Sequence, residues 1–300
     1  MTRSIFTGLL CMASALNSFG QTDSLAVQAD STQVDSTIVE SENIARPAYA
    51  DEPASPVYRL KPAVDIPLTA VTAGWSIYAF SKIYSKDPST PQQIQNLRKE
   101  DINGFDRWGA DVYSDKAAHT SDFFFYGAMP LPLVLMADKD IRKDAAKVGF
   151  LYLEAMSVTG LLYTGAVYFK DRYRPLAYNP EVPMDERLNG GAKNSFFAGH
   201  VALVATSSFF TAKIFSDYNP HSKLRWVFYG IAGVATAGTG WLRHRGGKHF
   251  PSDILIGTTV GTLSGILIPH FHKNREPRST GLFISPYTGR SHGVSMVYKF

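Results

Sequence analysis

The chain has 300 residues and a single cysteine, Cys11. That cysteine lies in an N-terminal segment with the pattern of a secretory signal peptide: a charged start, an apolar stretch from Ile5 to Leu16 and a small-x-small site at Ser18–Gly20. We predict that residues 1–20 are removed, which leaves a mature chain without cysteine. A disulfide framework and a thiolate metal site are therefore excluded for the mature protein.

The sequence also has little net charge and no acidic cluster with metal-ligand spacing. The 30 Lys and Arg residues exceed the 26 Asp and Glu residues by only four. The basic residues fall in short loops between apolar segments, which is not the continuous stripe typical of nucleic-acid binding. We therefore expect no nucleic-acid partner and no metal or other cofactor.

Long apolar segments are abundant. Five of them approach the length needed to cross a bilayer, at residues 121–137, 147–169, 196–215, 225–242 and 252–271. Any one of them could be the buried helix of a soluble all-α domain, but five in series, separated by charged loops, favour a membrane bundle. In the last segment Gly257, Gly261 and Gly265 recur every four residues, and we predict that another helix packs closely there.

The segments on either side differ in composition. Residues 21–60 are rich in Ser, Thr, Asp and Glu, and we predict a disordered acidic linker there. Residues 61–272 form the predicted membrane domain. Residues 273–300 form a tail, in which apolar residues alternate and predict a β-hairpin.

Charged loops predict the orientation of these segments. Basic residues recur at 139–147, at 213–225 and again at 273–278. By the positive-inside rule these loops are cytoplasmic, which places the intervening loops outside. A cleaved signal peptide also puts the new N-terminus outside, so we interpret the weaker apolar segment at 64–83 as interfacial or re-entrant. The rival interpretation is an uncleaved signal anchor.

The most informative motif runs from Arg243 to Asp253, in a loop that is predicted to face outside. Arg243 precedes His249 by six residues, and Asp253 follows the histidine by four. An arginine can grip a phosphate, a histidine can attack it, and an aspartate one helical turn later can orient the imidazole. We predict His249 as nucleophile and Asp253 as its partner. The alternative interpretation is an incidental His–Asp pair at helical spacing.

Two further motifs precede it. Gly199 and His200 begin an apolar helix, whose N-terminus favours an anion and whose histidine can protonate a leaving alkoxide. Arg172 and Arg174 come just before Pro175, and Arg174 together with Arg243 can stabilise the charge on phosphoryl oxygens. Separately, these residues could also cap a membrane helix or bind lipid headgroups.

The three motifs, in this order, resemble those of the type 2 phosphatidic acid phosphatase (PAP2) superfamily. Arg174-Pro175, Gly199-His200 and the run from Arg243 through His249 to Asp253 match its three blocks, and the resemblance covers about residues 120–272. It implies an all-α membrane bundle of five to six helices, here with a C-terminal β-hairpin.

The resemblance also implies a chemistry. His249 would form a phosphohistidine with Asp253 as its partner, and His200 would be the general acid. Arg174 and Arg243 would bind the phosphate, with Gly199, Lys170 and Arg172 as further candidate ligands. The family's usual lysine falls on Val167 and its usual serine on Ala198, and Lys170 lies one turn beyond Val167.

The implied protein is an integral membrane enzyme of the bacterial cell envelope, favoured in the inner membrane, with its site facing the periplasm. Its substrate would be a lipid phosphate such as undecaprenyl diphosphate, a lipid A phosphate or phosphatidate. Two alternatives stay open. One is a non-catalytic relative that binds phospholipid headgroups, which Val167 and Ala198 support. The other is a soluble vanadate-binding haloperoxidase or acid phosphatase.

Overall fold

The computed structural model describes residues 56–274, together with the strands at 281–288 and 292–299. The predicted signal peptide and nearly all of the predicted linker lie outside the described residues. Within the described part the helices are α1 (Pro62–Ile83), α2 (Pro91–Gln95), α3 (Asp115–Ala128), α4 (Lys139–Lys143), α5 (Ala145–Phe169), α6 (Pro175–Tyr178), α7 (Met184–Leu188), α8 (Gly199–Tyr218), α9 (Leu224–Arg245) and α10 (Pro251–His272). Short 3-10 helices lie at Lys99–Asp101, Arg107–Gly109, Leu131–Ala137 and Gly190–Lys193.

The predicted all-α architecture with a C-terminal β-hairpin is confirmed. Strands β1 (Gly281–Thr288) and β2 (His292–Lys299) pair antiparallel, with Gly281 opposite Lys299. Among the described helices, α5 and α10 are long and apolar enough to cross a membrane by length and composition. The predicted segment at 121–137 is not one helix, because a turn at Pro130 separates α3 from the 3-10 helix that follows.

Helix α8 lies at the centre of the bundle and packs against α5, α9 and α10. Its contact with α10 runs along the predicted glycine stripe. A Cβ atom at Gly261 or Gly265 would come within 2.1 or 2.6 Å of a backbone carbonyl oxygen of α8. One at Gly257 would come within 2.6 Å of the carbonyl oxygen of Ala198, directly before α8. The prediction of close packing at these glycines is confirmed, and the two helices that carry His200 and Asp253 are in backbone contact.

The bundle has two chemically different ends. The basic end, as we name it, contains residues 138–147 and 213–225 together with Lys273, the three predicted basic loops. Tyr218 donates to Asp144 at 2.7 Å, and Lys273 Nζ donates to Asp217 at 2.8 Å, which joins these loops. The opposite end contains the three sequence motifs and is named the site end.

Residues 64–83 are not re-entrant, and their placement at a membrane interface stays a prediction. They belong to α1, a continuous helix of 22 residues that runs parallel to α5 from the basic end to the site end. Asp65 lies beside His272 at the first end, and Ile83 accepts a hydrogen bond from Asn194 at the second. Serine and threonine on the α1–α5 face explain the weak apolar signal, since Thr72 and Ser157 hydrogen-bond across it at 2.8 Å.

The bundle also begins earlier than the predicted linker boundary at residue 60. Tyr58 is fully buried, and its hydroxyl donates to Asp217 at 2.7 Å. The backbone N–H of Arg59 donates to His272 O at 2.8 Å. The composition of residues 21–60 as a whole is polar, and an average over that window conceals these anchored residues at its end.

Candidate active site

Backbone hydrogen bonds bring the three motifs together at the site end. Leu176 N, next to the Arg-Pro pair, donates to Gly247 O at 3.0 Å. Ala198 N, at the start of α8, donates to Asp253 O at 3.0 Å. Segments that are 25 to 80 residues apart in the sequence thus form one surface around His249, as the sequence predicted.

His249 lies in the loop between α9 and α10 and is 1% exposed. Its Nδ1 lies 2.7 Å from the carbonyl oxygen of Ser195. Because a carbonyl can only accept, Nδ1 carries the proton and Nε2 has a lone pair. Nε2 is buried and has no hydrogen-bond partner among the described residues. The ring is therefore held in the tautomer that a nucleophilic imidazole requires, with its reactive nitrogen unoccupied.

The charge around His249 keeps the ring neutral. Burial, followed by the nearby guanidinium groups of Arg174 and Arg243, holds the pKa of His249 well below its ordinary value of 6.5. His200 acts in the same direction, and the Ser195 carbonyl opposes it. A depressed pKa leaves the ring in its unprotonated, nucleophilic form at neutral pH.

The predicted direct contact between Asp253 and His249 is replaced by an indirect one. The carboxylate of Asp253 accepts from Ser195 Oγ at 2.6 Å and from Phe250 N at 3.0 Å, and it pairs with Arg172. Spacing along a helix misleads here, because α10 begins only at Pro251 and the backbone of Phe250 is extended. Asp253 therefore supports the residue whose carbonyl holds the imidazole.

His200 stands at the first turn of α8 with a carboxylate beside it. Its Nε2 lies 3.4 Å from Asp122 Oδ1, and its ring packs against Phe125 at 4.4 Å between centroids. Asp122 Oδ1 also lies 3.1 Å from Arg243 Nη1. The carboxylate of Asp122 thus links His200 to Arg243, a phosphate-binding candidate.

Three cationic side chains face the same space. Arg174 Nε donates to Asn194 O at 3.3 Å, and its terminal nitrogens have no hydrogen bond to the described residues. Arg243 is 4% exposed, and its Nε is buried without a partner there. Lys248 is half-buried, and burial together with the charges of Arg174 and Arg243 lowers its pKa. Mutually repelling cations with unused donors indicate an anion-binding site.

Lys248, Asp122 and Ser195 were missed by reasoning from the sequence. Lys248 had a visible signal, because it directly precedes His249 in the third motif. Asp122 lies in an apolar segment far from the motifs, and the role of Ser195 depends on its backbone carbonyl. No sequence pattern indicates either of those two.

The other predicted phosphate ligands lie differently. The guanidinium of Arg172 is already engaged by Asp253 and by Asp106, whose Oδ2 is 2.7 Å from Nη2, and it stacks over Phe250 at 4.7 Å. Lys170 is exposed and lines a neighbouring pocket of about 510 Å³ that also contains Arg172 and Phe250 but not His249.

Asp106 completes the support beneath the site. Burial raises its pKa, but hydrogen bonds from Ser252 and Asn103 and the guanidinium of Arg172 outweigh this and lower it overall. Its carboxylate accepts from Ser252 N at 2.9 Å, at the first turn of α10. An ionised aspartate at a helix N-terminus is stabilising, so Asp106 fixes the start of the helix that carries Asp253.

Gly199 has a steric reason to be glycine. A Cβ atom there would lie 2.6 Å from the ring of Tyr163 on α5. The first turn of α8 thus packs directly on an aromatic ring, and this contact fixes the position of His200. Backbone N–H groups of this turn are among those that a helix leaves without intrahelical partners.

A family model of the PAP2 superfamily matches residues 148–277, which include every predicted site residue. No curated protein matches the chain. Among solved structures, Aquifex aeolicus LpxE is 20% identical, covering 54% of this chain and 90% of that one with a TM-score of 0.39. A transmembrane PAP2 type phosphatidylglycerolphosphate phosphatase from Bacillus subtilis is also 20% identical, covering 69% and 91% with a TM-score of 0.34. Residues 148–277 therefore match the PAP2 superfamily, the family that the three motifs resemble.

Proposed function

We propose that the protein is a lipid phosphatase of the bacterial cell envelope that acts through a phosphohistidine at His249. The observation that carries the proposal is the state of this ring: Nδ1 is fixed by the Ser195 carbonyl, and Nε2 is buried without a partner beside three cations. A buried polar atom without a hydrogen bond lowers the stability of the folded protein, and native structures keep one mainly where function requires it. An incoming phosphorus atom would use that lone pair.

In the first step Nε2 of His249 attacks phosphorus, and its lone pair forms the N–P bond. The P–O bond to the lipid breaks, and its electron pair passes to the leaving oxygen. His200 gives its proton to that oxygen, so the lipid leaves as an alcohol or, from a diphosphate, as a monophosphate. Asp122, whose Oδ1 lies 3.4 Å from His200 Nε2, orients the ring for this transfer.

In the second step water attacks the phosphohistidine. His200, now neutral, takes a proton from the water as the new P–O bond forms. The P–N bond breaks, its electrons return to Nε2, and inorganic phosphate leaves. Both histidines are restored, which completes one turnover with one water consumed.

Arg174, Arg243 and Lys248 bind the phosphoryl oxygens in this scheme. Val167, where the family has a lysine, is fully buried in an apolar cluster with Ile83 and Tyr163. A lysine is therefore absent from that helix face, and Lys248 supplies an ammonium group from the loop that also carries the nucleophile. Arg172 has a positioning role, since its donors hold the carboxylates of Asp106 and Asp253.

A lipid substrate is supported by the surface of the bundle. Large apolar side chains are exposed along its helices, among them Phe123 at 77% and Val234 at 75%. Trp226 and Trp241, both exposed, lie near the two ends of α9, a separation of roughly 22 Å along a helix. Exposed apolar flanks between aromatic residues are typical of a protein that sits in a bilayer.

The substrates to test are undecaprenyl diphosphate, a lipid A phosphate, phosphatidylglycerol phosphate and phosphatidate. Purified protein should release phosphate from at least one of them, and His249→Ala should abolish this release. His221→Ala, an exposed histidine at the basic end, is the matched control and should retain full activity. When the lipid substrate is labelled at the transferred phosphorus, the label should become attached to the wild-type protein and not to His249→Ala.

Two outcomes would contradict the proposal. If the wild type releases phosphate from none of these lipids yet binds them, the protein is a headgroup-binding relative. If His249→Ala remains active, another residue is the nucleophile.

A further inference from the structure

A second polar cluster lies at the basic end of the bundle. It consists of Asp65 on α1, Glu154 on α5 and His272 on α10, whose side-chain ligand atoms all lie within 4.8 Å of one another. His272 Nε2 is 3.3 Å from Asp65 Oδ2 and 3.6 Å from Glu154 Oε2. Asp253 and His272 stand at opposite ends of α10, roughly 28 Å apart along the helix, so this cluster is separate from the candidate active site.

The cluster is buried and its charges do not balance. The side chains of Asp65, Glu154 and His272 are only 7%, 2% and 11% exposed. Even with a protonated imidazole, two carboxylates leave one negative charge without a counter-ion. Among the described residues no lysine or arginine forms an ion pair with Asp65 or Glu154, and Lys213 and Lys273 at the same end both pair with Asp217. A buried carboxylate without a counter-charge is strongly unfavourable.

One oxygen of the cluster has no hydrogen bond at all. Glu154 Oε2 is buried and lacks a partner among the described residues, although it points at the imidazole. Native structures rarely leave a carboxylate oxygen in this condition, and a bound ion is one of the few physical explanations. This observation goes beyond the proximity of the three residues.

The histidine is held in the tautomer that a metal ligand needs. His272 Nδ1 lies 2.8 Å from the carbonyl oxygen of Ile268, so Nδ1 carries the proton and Nε2 presents a lone pair to the carboxylates. Asp65 Oδ2 also accepts from Lys61 N at 2.5 Å, which fixes the carboxylate. Ligands of metal ions are commonly oriented by such outer hydrogen bonds.

We propose that Asp65, Glu154 and His272 bind a divalent transition-metal cation, with Zn²⁺ the best fit, that joins α1, α5 and α10. Zinc accepts one imidazole with carboxylate oxygens at about 2.0–2.2 Å, which in tetrahedral geometry separates neighbouring ligand atoms by about 3.4 Å. The observed separations of 3.3 and 3.6 Å match this value. Mg²⁺ and Ca²⁺ fit less well, because they prefer six or more oxygen ligands.

The experiment measures metal directly on the full-length protein in detergent. After treatment with EDTA and its removal, the wild type should bind one equivalent of Zn²⁺, retain it through gel filtration and melt at a higher temperature when loaded. Glu154→Gln and His272→Asn should each weaken Zn²⁺ binding by at least about 10-fold, the lower bound for disturbing even an outer partner of a metal ligand. Asp217→Asn is the matched control, since that buried carboxylate at the same end is already satisfied by lysines.

The wild-type measurement does not depend on whether any variant folds. If Zn²⁺ neither binds stoichiometrically nor raises the melting temperature, the three residues share protons instead, and the proposal fails. It also fails if Asp217→Asn loses zinc as completely as Glu154→Gln. Because zinc content is read without an assay of phosphate release, the result is independent of the proposed function.

Discussion

Lys248 provides a sharp test of the candidate site, because the structure assigns it opposite effects on activity and stability. Its ammonium group lies in a desolvated position near Arg174 and Arg243, and it has no ion pair with the described residues. In the substrate-free protein this charge is therefore a source of repulsion. Once a phosphate binds, the same charge becomes attractive.

We expect Lys248→Met to lower kcat/KM by about 10- to 150-fold, because a hydrogen bond to a charged group contributes about 1.5–3 kcal/mol. The variant should melt at the same or a higher temperature than the wild type, since methionine keeps most of the apolar volume and removes the repulsion. Phosphate release from the best lipid of the panel and thermal unfolding in detergent measure the two quantities.

Lys170→Met is the matched control. Lys170 is exposed and lines the neighbouring pocket, so its loss should change kcat/KM by less than about 3-fold, within the range of a surface charge contribution. The reasoning is refuted if Lys170→Met is the damaging substitution and Lys248→Met is active. It is also refuted if Lys248→Met loses activity only because it unfolds.

Three further predictions concern pH, packing and topology. The pKa of His249 lies well below 6.5, so protonation of this ring should not lower kcat/KM as pH falls through 6.5, and the decline should come only at lower pH. Arg174→Gln should move this acid limb upward by removing a positive charge, and a wild-type limb at or above pH 6.5 would contradict the assignment. Gly261→Ala should destabilise the protein by about 1–3 kcal/mol, because its Cβ would meet a carbonyl of α8. Gly233 faces open space, so Gly233→Ala should stabilise the protein slightly. Equal melting temperatures of the two variants would refute the packing argument. A cysteine that replaces the exposed Asp185, at the site end, should react with a membrane-impermeant reagent in whole cells. A cysteine that replaces the exposed Pro220, at the basic end, should not react. The reverse pattern would place the site in the cytoplasm.

The bundle was largely predictable because its signal is repeated along the chain. Four predicted segments correspond to α5, α8, α9 and α10 within three residues at each end. The glycine stripe of α10 likewise predicted its contact with α8. These features follow from local composition and spacing, which the sequence shows directly.

Helix α1 could not be predicted with the same success. Its buried face includes Thr69, Thr72 and Ser76, which hydropathy counts as polar, although the hydroxyls of Thr72 and Ser76 form hydrogen bonds within the bundle. With α1 running the full length of the bundle, a cleaved signal peptide and cytoplasmic basic loops cannot both hold if every long helix crosses the membrane. The labelling experiment decides between these two predictions.

Within the site, side chains in motifs were predictable and their supports were not. The spacing of Arg243, His249 and Asp253 indicated a phosphate chemistry but suggested the wrong contact between the last two. The true link passes through Ser195, which is 54 residues away from His249 in sequence. The zinc ligands proposed at the basic end likewise come from three distant helices and show no spacing pattern.

The hydrogen bond from His249 to a main-chain oxygen has an evolutionary consequence. The imidazole is oriented by a peptide carbonyl, which every residue type provides, so its orientation depends on the backbone path at residue 195 and on the Asp253 contact that supports this path. Drift in the surrounding motif, such as alanine at position 198, therefore leaves the orientation of the imidazole intact. A sequence search that scores side-chain identity will undervalue such relatives, even where the orientation of the imidazole is kept.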